Sequence, residues 1–244
     1  MRRFSTLAAL LGASACGRLD FDATGTSDAS GDALVVDPTL VLWLRMDEAP
    51  DNGAILDSAR GHAVSCSTCP VLSAGVHGMA YDFVASTSQV VVDHTADLDT
   101  TSGFTIAAWI RVHAYPATYA GAACKPLGSG DDDTFCVSVD SSMEIFYYSN
   151  QNGSGGDFQY STSMIALESW HHVAMTWDGT TKHGYLDGVA EATSTTHIDW
   201  DTNPIVVGAD NVPIPEYPLD GVVDDLRLYD RALSAAEIAV LAAP

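Results

Sequence analysis

Hydrophobic residues recur at every second position in several segments of the chain, and this pattern predicts β-strands. The clearest segment runs from Phe104 to Val112, where Phe, Ile, Ala, Ile and Val alternate with Thr, Ala, Trp and Arg. The first set should face a core. The segment from Leu40 to Met46 is apolar on both sides, which is typical of a strand buried in a sandwich. Shorter strands are predicted at 89–92, 120–124, 134–139, 144–148 and 205–208.

A hairpin is predicted at 170–188. Val173, Met175 and Trp177 lie on one side of its first strand, with more polar residues on the other. The turn at 178–181 is rich in Asp, Gly and Thr, which tolerate turn geometry, and the chain then returns to a second Asp-Gly turn. The pattern is that of an antiparallel pair of strands.

The residues of this hairpin resemble those of a known family. They read Trp-His-His-Val, then Trp-Asp-Gly, then Tyr-Leu-Asp-Gly, an order similar to the signature hairpin of laminin G-like, concanavalin A-like jelly-roll domains. The strand Phe-Thr-Ile-x-Ala-Trp at 104–109 and the closing run at 219–234 resemble the same family, and the likeness extends over 39–241. It implies an all-β fold, a two-sheet antiparallel jelly-roll β-sandwich. A capping box of Ser234 and Glu237 predicts a short C-terminal helix.

The N-terminal segment predicts export. Two Arg residues, an apolar run at 7–11 and small residues before Cys16 are typical of a secretory signal peptide over 1–15. The ending Ala-Ser-Ala-Cys resembles a bacterial lipobox, which implies lipidation of Cys16; ordinary cleavage, leaving Cys16 as a thiol, is the alternative. Residues 16–38 are rich in Asp, Gly, Ser and Thr, so we expect a flexible acidic tether before a domain at 39–244. We expect an outer-membrane or cell-surface lipoprotein; a periplasmic or secreted protein is the alternative.

The charge of the chain narrows the range of partners. Ten Lys and Arg residues stand against 32 Asp and Glu residues, which gives a net charge of -22. This field repels phosphate backbones and anionic headgroups. We therefore expect no nucleic-acid partner and no membrane contact besides the lipid anchor.

Four further cysteines are available for disulfides in an exported protein. Cys66 and Cys69 form a CxxC pair. Because the compartments that exported proteins enter are oxidising, a small disulfide loop is favoured over a metal site. Cys124 and Cys136 would face each other across adjacent antiparallel strands, so a second disulfide is expected there.

The acidic pair Asp224 and Asp225 lies inside a predicted strand, where successive side chains point to opposite faces. A carboxylate that faces a sandwich interior needs a cation or another partner. The family resemblance implies one structural calcium near the first and last strands, with Asp47, Asp57 and Asp224 as candidate ligands. A salt bridge of Asp225 to Arg227 or Arg45 is the alternative.

Aromatic residues suggest where a ligand would bind. The run 146–148 is Phe-Tyr-Tyr, and at least one of its rings must point outward because strand side chains alternate. An exposed ring beside a polar, glycine-rich loop at 150–157 could stack on a sugar. The candidate ligand residues are Tyr147, Tyr148, Asn150 and Asn152. Covering by cross-strand neighbours is the alternative.

The sequence carries no catalytic signature that we could find. The ExDxE pattern of related glucanases, the GxSxG elbow and HExxH are all absent from it. His171 and His172 should point to opposite sides of their strand, so they cannot chelate one metal together. We expect a non-catalytic extracytoplasmic module that binds carbohydrate or a glycoconjugate. A protein-protein interaction scaffold without sugar affinity is the alternative, and a glycoside hydrolase-like enzyme is a further one.

Overall fold

The alternating segments are β-strands in the structure, a computed structural model that describes residues 37–84, 87–128, 132–151 and 155–244. The predicted signal peptide, Cys16 and the tether up to residue 36 lie outside these residues, as does Asn152. In the described ranges, sixteen strands and one α-helix are present. They are β1 (Leu40–Leu44), β2 (Ala54–Ile55), β3 (Val64–Ser65), β4 (Val71–Ala74), β5 (Met79–Phe83), β6 (Val90–Val92), β7 (Phe104–Val112), β8 (Tyr119–Leu127), β9 (Asp132–Asp140), β10 (Glu144–Asn150), β11 (Gly156–Met164), β12 (Trp170–Trp177), β13 (Thr181–Leu186), β14 (Val189–Thr195), β15 (Ile205–Val207), β16 (Gly221–Tyr229) and α1 (Ala235–Leu241).

The strands form two eight-stranded sheets whose neighbours pair antiparallel. The first sheet has the order β14-β13-β12-β7-β16-β5-β4, with β1 also paired to β16. The second has the order β11-β10-β9-β8-β15-β6-β3-β2. The predicted all-β sandwich with two antiparallel sheets is therefore confirmed. In the part of the chain that the structure describes, no helix is long and apolar enough to cross a membrane.

The core lies between the sheets and follows the predicted alternation. On β7, every second residue from Phe104 belongs to one buried cluster. On β12, Val173, Met175 and Trp177 join the same cluster, each at most 2% exposed. The Phe104 ring lies 5.0 Å from the ring of Phe135, which comes from β9 of the second sheet. These contacts pack the two sheets together by burying apolar surface.

The acidic pair on β16 breaks the alternation, and the predicted opposite orientation of its side chains is wrong. Val223 and Leu226, which are three residues apart, both belong to the core. A bulge between Asp224 and Arg227, with Asp225 at a φ of 51°, places an extra residue between them. Asp224 and Asp225 therefore both lie off the core side.

The predicted disulfides and the predicted C-terminal helix are both present in the structure. Disulfides join Cys66 to Cys69 and Cys124 to Cys136. The helix α1 begins at the predicted capping box, in which the Ser234 and Glu237 side chains each accept from the other's backbone N–H.

Candidate functional site

Four aromatic rings lie on the outer face of the second sheet, on β10 and β11. Phe146 is directly opposite Tyr160 across the two strands, with ring centroids 4.9 Å apart. Tyr148 is opposite Phe158, with centroids 5.1 Å apart. Facing residues in an antiparallel pair project to the same side of a sheet, so the four rings form one continuous patch.

Neighbouring elements turn this patch into a concave site. The Tyr119 ring of β8 stacks on Phe146 at 4.8 Å, and Tyr217 packs against Tyr119 at 5.8 Å. The Cys124–Cys136 disulfide packs with Phe146 and Tyr148. The resulting aromatic cleft has a volume of about 410 Å³. Its lining consists of Tyr119, Asp132, Asp133, Cys136, Ser138, Phe146, Tyr148, Gly155, Gly156, Phe158, Asp210 and Tyr217.

Three carboxylates, of Asp132, Asp133 and Asp210, line the same cleft. The Tyr148 hydroxyl donates to Asp132 Oδ1 over 2.8 Å. Burial raises the pKa of Tyr148 above its usual value, and the hydrogen bond to Asp132 and the charges of all three carboxylates raise it further. The cleft thus combines flat apolar rings with hydrogen-bond acceptors, a composition suited to a ligand with apolar faces and polar edges.

A buried lysine holds β10 and β11 in register beneath the cleft. Lys182 of β13 is 1% exposed and its Nζ donates to the backbone oxygens of Tyr147 and Asp157. The same Nζ lies 2.8 Å from Asp157 Oδ2. Burial lowers the pKa of Lys182, although the charge of Asp157 opposes this shift. Because Asp157 directly precedes Phe158, the ion pair positions the strand that carries this ring of the cleft.

Close approach of β11 to Tyr148 requires glycine. A Cβ at Gly156 would lie 2.0 Å from the Tyr148 ring. Gly156, which was predicted to lie in a glycine-rich loop, is the first residue of β11, and its missing side chain leaves room for the ring.

The predicted ligand residues have different fates. Tyr148 lines the cleft, and its role in ligand binding stays a prediction. The prediction that Tyr147 faces a ligand is wrong: its ring is fully buried and its hydroxyl donates to Tyr185 O over 2.7 Å. Asn150 is 2% exposed at the end of β10 and does not line the cleft. Asn152 lies outside the described residues.

Sequence reasoning missed Phe158 and Tyr160, the most exposed rings on β11, at 56% and 37% exposure. No strand was predicted at 156–164. The aromatic-polar-aromatic spacing of Phe158, Gln159 and Tyr160 was the available signal, since residues two apart on a strand share a face.

Asp57 stabilises a loop of the chain and does not fit a calcium ligand. Its two oxygens accept from the backbone N–H groups of Trp43, Ala59, Arg60 and His62, and one lies 2.8 Å from the His62 ring Nδ1. Burial raises the pKa of Asp57, but these hydrogen bonds outweigh it and hold the pKa below its usual value. The lone pairs that a cation would need are occupied by the protein's own donors.

Asp47 and Asp224 come together at the hairpin that joins β4 to β5. Asp47 accepts from Met79 N and Arg45 Nε, and Asp224 Oδ2 accepts from the backbone N–H groups of Val76 and His77. Burial, together with the charges of Asp225 and Asp47, raises the pKa of Asp224 to about 7, although its hydrogen bonds from the backbone N–H groups oppose this shift.

The three predicted calcium ligands do not form one cluster. Among the described residues, the one group of three possible ligands within 4.8 Å is Cys124, Cys136 and Asp210, and its two cysteines are joined in a disulfide. The set of Asp47, Asp57 and Asp224 therefore does not fit a shared ion. The alternative for the acidic pair is confirmed, because Asp225 Oδ2 lies 2.8 Å from the Arg227 guanidinium. Calcium itself stays a prediction.

Comparison with protein families supports the fold. The model of the concanavalin A-like lectin/glucanases superfamily matches residues 84–239, which is more than half of the chain. A search of curated proteins found no match.

Solved structures with the same fold include domains of larger proteins. Domain 4 of an extracellular arabinanase from Geobacillus stearothermophilus, in complex with arabinotriose, aligns with a TM-score of 0.65 at 15% identity, over 84% of this chain and 98% of that one. The binding domain of Paraclostridial Mosquitocidal Protein 1 aligns at 0.66 and 16%, over 84% and 52%. Trypanosoma rangeli sialidase aligns at 0.68 and 17%, over 92% and 36%, so this chain spans about a third of the sialidase length. Identities this low indicate a shared fold alone.

Proposed function

Because the chain belongs to the concanavalin A-like lectin/glucanases superfamily, we propose that it is a non-catalytic carbohydrate-binding module. Its proposed binding site is the aromatic cleft on the outer face of β8 to β11. A sugar ring has an apolar face of C–H groups and a rim of hydroxyls, so it can lie on an aromatic ring and donate to carboxylates nearby.

The observation that carries this proposal is the exposure of aromatic surface beside acceptors. Phe158 is 56% exposed, and Tyr160 and Tyr217 are 37% and 38% exposed. Large rings left in water on a folded surface are typical of a binding site. The solved arabinanase domain of the same fold holds arabinotriose, which supports a glycan as ligand here.

Further support for a binding role comes from the sequence, which lacks the paired carboxylate motif of related glucanases.

We propose that lipidation of Cys16 tethers the module to the outer membrane or cell surface. Mass spectrometry of the mature N-terminus tests the anchor: a diacylated cysteine is expected, and an unmodified thiol would contradict it.

The binding proposal is tested with a glycan array probed with the purified domain. Phe158→Ala should lower the strongest signals about tenfold or more, because it removes a central exposed ring. Tyr115→Ala is the matched control, since Tyr115 is 67% exposed and does not line the cleft. Equal loss with both variants, or a blank array for the unaltered protein, would reject the cleft as a glycan site and favour the scaffold alternative.

A further inference from the structure

The charged side chains that line the aromatic cleft are all acidic. Asp132, Asp133 and Asp210 line it, and none of its described lining residues is Lys, Arg or His. Asp132 is exposed, and it lies beside the Tyr148 ring through a hydrogen bond to that hydroxyl. Aromatic surface and negative charge therefore meet in the same concave space.

The rest of the molecule strengthens this charge. The net charge of -22 gives the whole chain a field that repels anions. The carboxylates lie close to the rings, since Asp132 Oδ1 is 2.8 Å from the Tyr148 hydroxyl and all three line the same space. A concave, partly apolar site focuses such a field, so ligand charge matters more here than on an open surface.

We propose that the aromatic cleft selects glycans whose sugars carry protonated amino groups, over neutral glycans and over glycans that carry carboxylates. The inference rests on the proposed function and deepens it by naming the ligand class. A protonated amino group adds a positive charge and three donors to the sugar edge, where the cleft offers carboxylate acceptors. An anionic sugar in the same position would meet like charges.

The test compares three oligosaccharides of equal length by titration calorimetry at about pH 5, where the 2-amino groups of glucosamine are mostly protonated and ordinary carboxylates are ionised. They are oligomers of β-1,4-linked glucosamine, of N-acetylglucosamine, and of a uronic acid. Glucosamine oligomers should bind on the order of tenfold more tightly than the N-acetylated ones at low salt. The advantage should shrink in about 0.5 M salt because screening weakens charge interactions. Uronic oligomers should show no binding.

Variants assign the selectivity to the cleft. Asp132→Asn keeps an acceptor for Tyr148 and removes one charge, so it should weaken binding of glucosamine oligomers several-fold more than it weakens binding of N-acetylglucosamine oligomers. Asp93→Asn removes a charge from an exposed residue that does not line the cleft, and should change neither. A circular dichroism spectrum checks that each variant is folded.

The outcomes separate this inference from the proposed function. No binding of any of the three oligosaccharides, with a glycan array that still gives signals lost in Phe158→Ala, would overturn the selectivity alone. A blank array as well would overturn both. Equal binding of glucosamine and N-acetylglucosamine oligomers would leave the proposed function standing and overturn the selectivity. Oligolysine of matched charge that binds as tightly as glucosamine oligomers, with no effect of Phe158→Ala, would also overturn it, because charge alone would then explain the binding.

Discussion

The outer faces of the two sheets both carry aromatic and charged side chains, but they arrange them differently. On the first sheet, the Arg227 guanidinium lies 4.6 Å from the Trp43 ring and pairs with Asp225. On the second sheet, rings meet one another, and the cleft's described lining holds three carboxylates and no basic side chain. The first face contains its own countercharges, while the second offers rings and negative charge to a partner.

This contrast explains why acidic residues alone are a poor guide to a site. Asp47, Asp57 and Asp224 were the candidate calcium ligands by sequence, yet each accepts hydrogen bonds from the protein itself. A buried carboxylate must be satisfied by the fold, so its presence indicates structure. The carboxylates that lie beside exposed rings are better candidates for recognition.

The largest effect should come from the ion pair on the first face. Asp225→Asn retains a side chain that tolerates positive φ but leaves the mostly buried Arg227 without its countercharge. We expect a loss of about 3 kcal/mol or more in the free energy of unfolding, because an unpaired buried charge is strongly unfavourable. Urea unfolding measures this loss.

The same charge change at an exposed site serves as the control. Asp93→Asn should alter the free energy of unfolding by no more than about 0.5 kcal/mol. If Asp225→Asn behaved like this control, the first face would not depend on its internal countercharges, and the contrast between the faces would fail.

A second, smaller effect should appear as a pH dependence. His172, also on the outer side of the first sheet, is 2% exposed, and burial lowers its pKa to about 3; the charges of Arg227 and His77 act in the same direction and Asp187 opposes them. The unfolded state therefore binds more protons than the native state between about pH 6.5 and pH 3, so this contribution to stability is present above pH 6.5 and is lost as the pH falls.

The variant His172→Gln lacks the titrating imidazole, so its comparison with the unaltered protein measures the contribution of His172 to the pH dependence of stability. Between pH 7.5 and pH 5, the unaltered protein should lose about 2 kcal/mol more of its unfolding free energy than the variant does. Denaturant unfolding at both pH values gives the difference. Equal losses would mean that His172 is protonated in the native state at pH 5.

The two tyrosines of β10 provide a third test. Tyr147→Phe leaves the buried Tyr185 carbonyl without its donor, so we expect a loss of about 1–2 kcal/mol of stability and unchanged glycan binding. A change in binding with intact stability would mean that the inward ring reaches the ligand. Thermal unfolding and the glycan array together decide this.

The sequence predicted the architecture well because alternation and turn residues carry that information locally. Strand β7 was predicted with its observed bounds, and the core side of β12 was correct. The orientation of β10 could not be predicted, because residues 145–148 are all apolar and alternation gives them no phase. What selects the inward ring is distant: a Cβ at Gly184 would lie 2.4 Å from the Tyr147 ring, so only glycine leaves room for it.

Two further errors have physical causes. The bulge at Asp225, a residue with positive φ, shifts which residues of β16 face the core. Strand β11 is an edge strand whose residues are mostly exposed, so it lacks the apolar alternation of a half-buried strand. The aromatic patch beside the cleft was missed for the same reason, since two of its four rings, Phe158 and Tyr160, come from β11.

The smallest expected effect on stability belongs to the residue that should matter most for binding. Phe158 is more than half exposed, and its ring contacts Tyr148 and Phe146 at the surface. Phe158→Ala should therefore change the free energy of unfolding by less than about 1 kcal/mol, because little of its apolar surface is buried. Urea unfolding and the glycan array measure the two effects. Phe158→Ala should lose binding and keep its stability, whereas Asp225→Asn should lose stability. A stability loss as large as that of Asp225→Asn would mean that the second face is also held together from within, and that its rings are structural.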